Sequence, residues 1–541
     1  MKKIVSILIL LLVAALCGAA RERVCIVTDR SAYLAGEQVW YSAFCVEGST
    51  LSSSSSMAYI EVVSADGTGV VGKVALIGGR GCGKIDLPES MPTGNWKIIA
   101  YTAAGGVGDS SFEGAPTISV FNPRTTARSG GVSFAGDSYP EVTTEPTVSE
   151  KVRLLVNRTG HCGTMIPVGL ENLTGDITVS VSISPVDGIA PPPSGTIADF
   201  LAVSDSSPAV APFEVEGEVV EGYLADAFGN RVSADTLSAG AISSRGAISD
   251  CYYSHFRSDG SISFLTSNIY GNRDLFSEIH DCPEGVHMEI VDPFLHPSVS
   301  APAPLLLSRA QRRSLLERMA RQAAFFSSNP DTLVEFLPKR EGLLIDERDA
   351  VVYNLDDYVR FPTMNEVLVE IIPELRFRKG PDGKHRLKLF RKDRTGTVMA
   401  YQDNVLVLLD GVVLTDHEKL YNLDAMQMKE IRFYANTYSV GDRTFNGIVH
   451  FITGRNALSA MKFGPEVRII DFPGCSYPVA FGAKGQEWSL PLWQPMLSLP
   501  AGERSSFSLL LPSEPGTWRI RLEGMSLSGE PVIAESFITV R

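Results

Sequence analysis

The chain has 541 residues, with 48 Lys and Arg against 62 Asp and Glu, a formal net charge of −14 and 44% hydrophobic residues. This length exceeds what one hydrophobic core of about 100–200 residues can organise, so we expect several domains. The acidic balance argues against a nucleic-acid binder, because phosphate affinity depends on Lys and Arg. The ordinary hydrophobic fraction argues against bulk disorder and against a polytopic membrane protein.

The first 20 residues have the layout of a secretory signal peptide. Lys2 and Lys3 precede an apolar run over residues 4–16, which is too short to span a bilayer at about 20 residues. Small residues follow, so we expect cleavage after Ala20 and a protein exported to the periplasm or associated with the outer membrane. The alternative is a lipoprotein signal acylated on Cys17, although Leu16 stands where such signals usually have a small residue. No later stretch is long and apolar enough to predict a transmembrane helix.

Export would leave seven cysteines, and an oxidising compartment permits disulfides between them. Their spacing makes Cys25–Cys45 and Cys251–Cys282 the candidate pairs, and we expect the second pair to be bridged. Buried apolar thiols are the alternative for the first pair. No CxxC motif and no Cys/His cluster with zinc-finger spacing occurs, so we predict no metal and no cofactor.

Short apolar runs separated by Gly, Ser, Asp or Pro dominate the chain and indicate strands. One strong helix signal stands among them, where Ser308 and Gln311 form a capping-box pattern and arginines decorate an amphipathic helix, most simply as its solvated face. The fold class is therefore mainly β and multidomain, with tandem immunoglobulin-like sandwiches and one small α+β domain. The predicted segments are a sandwich over 21–123, a second β segment over 150–190, a β domain over 213–294, a helical segment over 305–329, the α+β domain over 346–455 and a C-terminal sandwich over 464–541.

The first predicted sandwich has a set of motif residues. In the run NWKIIAYT, Trp96, Ile98 and Ala100 alternate with their neighbours as a half-buried strand requires. The other motif residues are Asp29-Arg30, Tyr33, Gly36-Glu37, Pro92, Gly94 and Ala100-Tyr101-Thr102. With these residues the segment resembles the macroglobulin-like β-sandwich domains of exported Bacteroidetes proteins, which implies that the first domain is a macroglobulin-like sandwich.

Residues 346–455 contain three recognisable features. They are a strand ending in Asp-Gly, an Asn-Leu-Asp segment before an Ile-containing strand, and an Asn-Gly turn into a last strand, at Asp410-Gly411, Asn422 to Asp424, Ile431 and Asn446-Gly447. With these features the segment resembles the plug domain of TonB-dependent receptors. The chain departs from the family at Ala435-Asn436, where a Gly is usual, and the residues after Arg455 are far too few for a transmembrane barrel of about 22 strands.

Two other segments show weaker resemblances. Residues 213–294 resemble the carboxypeptidase-regulatory-like β domain, through Gly217-Glu218-Val219 and the Asp259-Gly260 turn. In the tail, Pro515-Gly516 before Trp518 repeats the arrangement of Pro92 to Gly94 before Trp96. These features predict two further β domains.

Residues 78–84 read GGRGCGK and match the spacing of a phosphate-binding P-loop. Ile85 replaces the Ser or Thr that would hold magnesium, so we predict no nucleotide hydrolysis. The same Gly-Cys-Gly is similar to the thioester motif of α-macroglobulins, whose chemistry needs Gln three residues after the cysteine. Ile85 occupies that position too, and we predict no thioester at Cys82.

With no catalytic constellation visible, the sequence predicts a protein that is not an enzyme and has no catalytic residues. The main interpretation is an exported envelope protein that serves as an interaction or scaffold module, with a protein partner such as an outer-membrane barrel and no nucleic acid. One alternative is an accessory component of TonB-dependent uptake, whose plug-like domain docks on a separate barrel. A second alternative is a protease trap or hydrolase.

Overall fold

The structure is a computed structural model. It describes residues 21–134, 136, 145–186, 189, 194–203, 205, 207–246, 250–267, 269–299, 302–328, 334–335, 349–392, 398–454, 458, 461–477, 479–480, 492–512 and 515–541. The predicted signal peptide, its cleavage point after Ala20 and the Cys17 alternative lie outside these residues. Strands dominate the described chain, and the prediction of a mainly β, multidomain protein is confirmed.

The N-terminal part is a β-sandwich of two sheets around a shared core. One sheet contains β1, β3, β4 and β7, and the other has the order β2-β9-β8-β5-β6. Large side chains from both inner faces, including Tyr41, Ile60 and Trp96, form its core. The elements are β1 (Glu22–Thr28), β2 (Ala32–Leu34), β3 (Gln38–Glu47), β4 (Thr50–Leu51), β5 (Met57–Ser64), β6 (Gly67–Ala75), β7 (Arg80–Asp86), β8 (Gly94–Tyr101), the short helix α1 (Asp109–Phe112) and β9 (Thr117–Phe121).

The next elements begin a second sandwich. They are β10 (Val132–Phe134), β11 (Val152–Leu155), β12 (Thr159–Gly160), β13 (Met165–Asn172), β14 (Ile177–Pro185) and the helix α2 (Ile197–Ala202). A capping box between Thr196 and Asp199 starts α2.

The following β elements belong to a separate compact unit, residues 218–293 and 339–473. They are β15 (Val219–Ala225), β16 (Ala239–Ser244), β17 (Cys251–His255), β18 (Ser261–Leu265), β19 (Arg273–His280) and β20 (His287–Ile290).

The chain then returns to the first unit, which comprises residues 1–217, 294–338 and 474–541. Its elements here are β21 (Leu305–Leu307), the helix α3 (Arg309–Ser328) and β22 (Val334–Glu335). Ser308 and Gln311 exchange the two hydrogen bonds of a capping box, at 2.9 and 3.4 Å. Arg309 and Arg312 are exposed, as the interpretation of the helix arginines as a solvated face requires. Arg318 is buried and departs from it, on a helix that packs through Leu315 and Met319.

The second unit continues with a five-stranded sheet of order β23-β29-β32-β27-β28 and a sheet of β24, β25 and β26. Helices cover a core shared by Leu368, Leu389, Leu409, Ile431 and Phe451. The elements are β23 (Val351–Asn354), the 3-10 helix η1 (Leu355–Asp357), α4 (Met364–Glu370), β24 (Leu375–Lys379), β25 (His385–Lys392), β26 (Val398–Gln402), β27 (Leu406–Leu409), β28 (Val412–Val413), α5 (His417–Tyr421), η2 (Ala425–Gln427), β29 (Met428–Tyr434), β30 (Tyr438–Val440), β31 (Arg443–Phe445) and β32 (Ile448–Thr453).

The last strands change the predicted domain boundaries. They are β33 (Val467–Phe472), β34 (Val479–Ala480), β35 (Leu492–Leu499), β36 (Arg504–Leu510), β37 (Gly516–Ser526) and β38 (Pro531–Val540). β33 pairs with β19 in the second unit, so the tail predicted over 464–541 is not one domain. The segments 213–294 and 346–455, predicted as separate domains, contribute to one compact unit.

Candidate functional site

The second sandwich is built from two segments that are far apart in the sequence. One sheet has the order β11-β13-β36, and the other has the order β12-β38-β37-β14-β35. The β segment predicted over 150–190 and the sandwich predicted over 464–541 are therefore two halves of one domain. Each sheet contains strands of both halves, so the core of this domain is complete only when the halves pair.

β14 is the strand at which the halves interlock. It pairs antiparallel with β37, from Ile177 opposite Ser526 to Pro185 opposite Trp518, and it also pairs antiparallel with β35 on its other side. β14 belongs to the first half of the sandwich, and both of its neighbours come from the second, C-terminal half. The core contains Val168 and Val179 from the first half and Leu509 and Leu522 from the second.

The side chain of Asn172 ties the two halves together at the end of β13. Its buried Nδ2 donates to the carbonyl oxygens of Leu499 and Pro500, each at 2.8 Å, and to that of Gly175 at 3.0 Å. Its backbone N–H donates to the carbonyl oxygen of Glu503 at 3.0 Å. Because buried carbonyl groups are costly to leave unpaired, this residue favours the joined sandwich.

Charged side chains reinforce the same join at its surface. Arg504 of the C-terminal half lies 2.7 Å from the carboxylate of Glu171, and Arg153 lies 3.0 Å from the same carboxylate. The hydrogen bond from Arg504 is the main reason that the pKa of Glu171 lies below its ordinary value. Nearby, the carboxylate of Asp176 accepts from the backbone N–H of Ala501 at 2.9 Å.

The sequence between β14 and β35 is an insertion of about 300 residues whose two ends are held by hydrogen-bonded neighbours in one sheet. This insertion contains the whole of the second unit. The hydrophobic pattern of β14 predicted a strand, but such a pattern does not identify the strand's partner, so nothing in the sequence indicated this arrangement.

The expected disulfide between Cys251 and Cys282 is wrong, since both cysteines are free. Cys251 lies opposite Ser243 on β16, whereas the Sγ of Cys282 lies 4.0 Å from the carbonyl oxygen of Ala239 on the same strand. Four residues along a strand span about 13 Å. A bridge requires Cα atoms within about 7 Å, so it cannot form here.

The candidate pair Cys25 and Cys45 is also unbridged. On the paired strands β1 and β3, Cys25 lies opposite Phe44 and Cys45 lies opposite Val24. Successive residues of a strand point to opposite faces of the sheet, so the two thiols face different cores. The alternative interpretation, that they are buried apolar thiols, agrees with this geometry, and burial raises the pKa of both.

The Gly-Cys-Gly motif lies in strand β7 and not in a loop before a helix. Cys82 is partly buried, and Ile85 is a core residue of the first sandwich, 3% exposed. Residues three apart in a strand point to opposite faces. A side-chain bond between positions 82 and 85 would therefore require the strand to unfold, whichever residue stood at position 85.

Asp410 and Gly411 form the two-residue turn between β27 and β28. Their φ angles are 50° and 91°, which is the type I′ geometry that an antiparallel hairpin prefers. The Asp410 carboxylate accepts from the backbone N–H and the hydroxyl of Thr453, at 2.8 and 2.7 Å. A Cβ on Gly411 would lie 2.6 Å from the backbone nitrogen of Gly246, so this position has no room for a side chain.

The other plug-like motif residues have structural roles in the same unit. Asn446 donates to the carbonyl oxygen of Asp403, and Gly447 precedes β32, which runs parallel to β27. Asn422 ends α5, and Asp424 caps the 3-10 helix η2 through the N–H of Met426. The motif therefore lies within one sheet and its connections, and it brings no reactive side chains together.

A buried carboxyl group in the second unit has no counterpart in the sequence analysis. Glu278 on β19 is 4% exposed and accepts from the backbone N–H and the hydroxyl of Thr415. Burial raises its pKa to about 7, with Lys419 opposing and Glu466 reinforcing that shift. A glutamate inside a β strand gives no sign of burial in the sequence, because its surroundings come from the distant residues 415–419.

The described residues contain no group of three or more His, Cys, Asp and Glu side chains placed to hold a metal ion. Within the same residues, no helix has the length and apolar character needed to cross a membrane. The cleft bounded by Lys97, Glu113, Thr117 and Asp199 in the first unit has a volume of about 610 Å³. Lys97 there donates to the carbonyl oxygen of Phe112 at 2.7 Å.

No family model matches the chain, and no curated protein matches it. Among solved structures, a Salmonella alpha-2-macroglobulin mutant is similar at 9% identity and a TM-score of 0.24, over 97% of this chain and 40% of that chain. Trypsin-activated alpha-2-macroglobulin from Escherichia coli is similar at 9% identity and a TM-score of 0.24, over 97% and 42%. Dimeric latent PorU from Porphyromonas gingivalis follows at 8% identity and a TM-score of 0.13, over 97% and 34%.

This chain thus spans about two fifths of the length of the alpha-2-macroglobulins that it matches. The main sequence interpretation, an envelope scaffold module, is wrong by this comparison, since the similar solved structures are alpha-2-macroglobulins. The feature of this chain that points to a function is the second sandwich, which two distant segments of the sequence build together; we call it the split sandwich.

Proposed function

We propose that this chain is a non-catalytic protease trap, which offers the insertion between β14 and β35 for cleavage and keeps the cut pieces together. The observation that carries the proposal is the pairing of β14 with β35 and β37. A cut anywhere in the insertion separates the chain into two polypeptides. Each of them still holds half of the second sandwich.

Strand pairing, and not chain continuity, would hold the cut protein together. Separation of the halves requires β14 to leave both neighbours, β13 to leave β36 and the core around Val179 and Leu522 to open. Exposing that apolar surface costs about 25 cal/mol per Å². The buried amide of Asn172 adds the cost of unpaired carbonyl groups at Leu499 and Pro500.

The trap that we propose acts without a covalent bond to the protease. Cys82 and Ile85 lie on opposite faces of β7, which leaves no position for a thioester. Basic residues are available for trypsin-like cleavage in the insertion, and Lys379 and Lys384 are exposed on the hairpin between β24 and β25. Export of the chain and the plug-like identity of residues 346–455 belong to the same proposal. The predicted signal peptide supports export, and the parallel β27–β32 pair supports the plug-like fold.

The experiment is limited digestion with trypsin, stopped at the first cuts by a small irreversible inhibitor. We expect fragments on a denaturing gel that elute as one particle by native size exclusion. Without the inhibitor, trypsin that elutes with the particle should keep its activity on a small chromogenic peptide and lose activity on casein.

Two results would contradict the proposal. Fragments cut within the insertion that separate under native conditions would remove the retention step. Trypsin that elutes alone, with full activity on casein, would remove the capture step. Asn172→Ala removes the amide that joins the two halves, so its cut fragments should separate more readily under native conditions. Asn157→Ala, at an exposed Asn of the same sandwich, is its matched control and should behave like the unaltered chain.

A further inference from the structure

Strand β23 forms one edge of the five-stranded sheet in the second unit. In the described part of the chain its only hydrogen-bonded neighbour is β29, with Val351 opposite Phe433 and Asn354 opposite Glu430. Its other edge therefore presents backbone N–H and C=O groups. Such an edge is a template for another strand.

Exposed apolar side chains are concentrated at this edge. Val351 is 43% exposed, Val352 is 51% exposed, and Tyr358 and Val359 just beyond the strand are 45% and 78% exposed. Proteins protect edge strands with charged side chains, Pro, a bulge or a short strand length. Positions 349–359, which we call the β23 edge, contain a four-residue strand and carboxylates as their charged groups, with no Lys, Pro or bulge.

The charges of the β23 edge are acidic. Asp349, Asp356 and Asp357 are exposed around the strand. Arg360 is the nearest basic residue that follows, and it pairs with Asp356. On the neighbouring strand, Arg432 lies opposite Val352, and its guanidinium is held by Glu430. The edge thus combines unpaired backbone groups, two exposed valines and a surplus of carboxylates.

We propose that the β23 edge binds an extended, lysine- or arginine-bearing segment of a partner protein by strand addition. Backbone hydrogen bonds along the edge supply affinity, as in other strand-addition complexes, and alternate side chains supply specificity. Apolar side chains of the added strand would contact Val351 and Val352. Its basic side chains would lie near Asp349, Asp356 and Asp357.

A second copy of this chain fits the edge less well than a basic partner. Antiparallel self-pairing centred on Val352 would bring Asp349 of each copy to the side of residues 355–357 of the other. Like charges placed opposite one another destabilise a strand pair. This surface lies in the second unit and does not depend on the join between β14 and β37, so it is independent of the proposed trap.

The test uses two labelled peptides of the same length, one alternating Lys with Val and one alternating Glu with Val. Binding to the full chain is measured by fluorescence anisotropy at low salt. We expect the basic peptide to bind at least tenfold more tightly, and we expect amide hydrogen exchange to slow at residues 351–354 only with the basic peptide.

Variants then assign the binding to the edge. Val352→Lys places a positive charge there, and we expect at least tenfold weaker binding of the basic peptide. Val369→Lys makes the same change on the exposed side of α4, where Val369 is 46% exposed, and should alter binding less than twofold. Equal binding of both peptides, unchanged exchange at 351–354 or equal effects of the two variants would overturn the proposal. A dimer whose interface protects 351–354 would do so as well.

Discussion

The buried amide of Asn172 donates to the carbonyl oxygen of Leu499, 327 positions later in the chain, at 2.8 Å. The same amide also reaches Pro500 and Gly175. One side chain thus satisfies backbone groups from both halves of the split sandwich. The domain is therefore closed by contacts between its two halves.

We predict that Asn172→Ala destabilises the second sandwich by about 1–3 kcal/mol, because it leaves buried carbonyl groups unpaired. Amide hydrogen exchange of β13 and β35 measures this locally, which matters because a multidomain chain does not unfold in one step. Asn157→Ala should change exchange little, since Asn157 is exposed. Equal protection of β35 in the two variants would show that the amide does not hold the halves together.

Substitution of Gly411 and of Gly285 by Ala distinguishes two destabilising effects of an added Cβ in the second unit: backbone strain at positive φ and steric overlap. Both have positive φ, 91° and 80°, but a Cβ on Gly411 would collide with the backbone of Gly246, whereas one on Gly285 would meet no atom within 4 Å. We expect Gly285→Ala to cost about 1–2 kcal/mol from backbone conformation alone. Gly411→Ala should cost about 1–3 kcal/mol more, from overpacking. Thermal unfolding of both variants measures the difference, and equal losses would mean that the turn moves freely away from Gly246.

The free state of Cys251 and Cys282 is open to a direct chemical test. We predict that iodoacetamide in urea, without reductant, alkylates both residues, because the register of β16 keeps them too far apart to bridge. Cys282→Ser should shift the free energy of unfolding by no more than about 0.5 kcal/mol. A peptide joining residues 251 and 282 in a non-reducing mass map would show that the strands are arranged differently in solution.

Local features of this fold could be predicted from the sequence. The capping box of Ser308 and Gln311 and the hairpin turn at Asp410-Gly411 depend on a few neighbouring residues whose chemistry selects one geometry. Long-range features could not. The alternation in β14 predicts a strand but is equally compatible with many partners, so β37 was not identified. It also gave no sign that the polar face with Ser180 and Ser182 is buried.

The cysteines show the same limit at a candidate site. Sequence spacing suggested the pair Cys25 and Cys45, but the pleat places neighbouring register positions on opposite faces. The number of residues between two cysteines does not show whether they lie on the same face of a sheet until the strand register is known. The buried Glu278 was missed for a related reason, since the groups that enclose it come from residues 415–419 and 466.

Glu278 gives the last prediction, on the pH dependence of the second unit. Burial raises its pKa to about 7 in the folded state, against an ordinary value of 4.5. The folded state then holds this proton between pH 4.5 and 7 while the unfolded state releases it, so stability falls as the pH rises through this window. A difference of this size in pKa corresponds to roughly 3 kcal/mol of stability.

Glu278→Gln tests this, because it keeps an acceptor for Thr415 but cannot ionise. The free energy of unfolding of the variant minus that of the wild type should increase from pH 4.5 to 7 and then stay constant. Because the lowered pKa values of His280 and His417 act equally in both proteins, the comparison isolates residue 278. Parallel stability curves for the two proteins in urea titrations across this range would show that Glu278 is ionised and solvated in the folded unit.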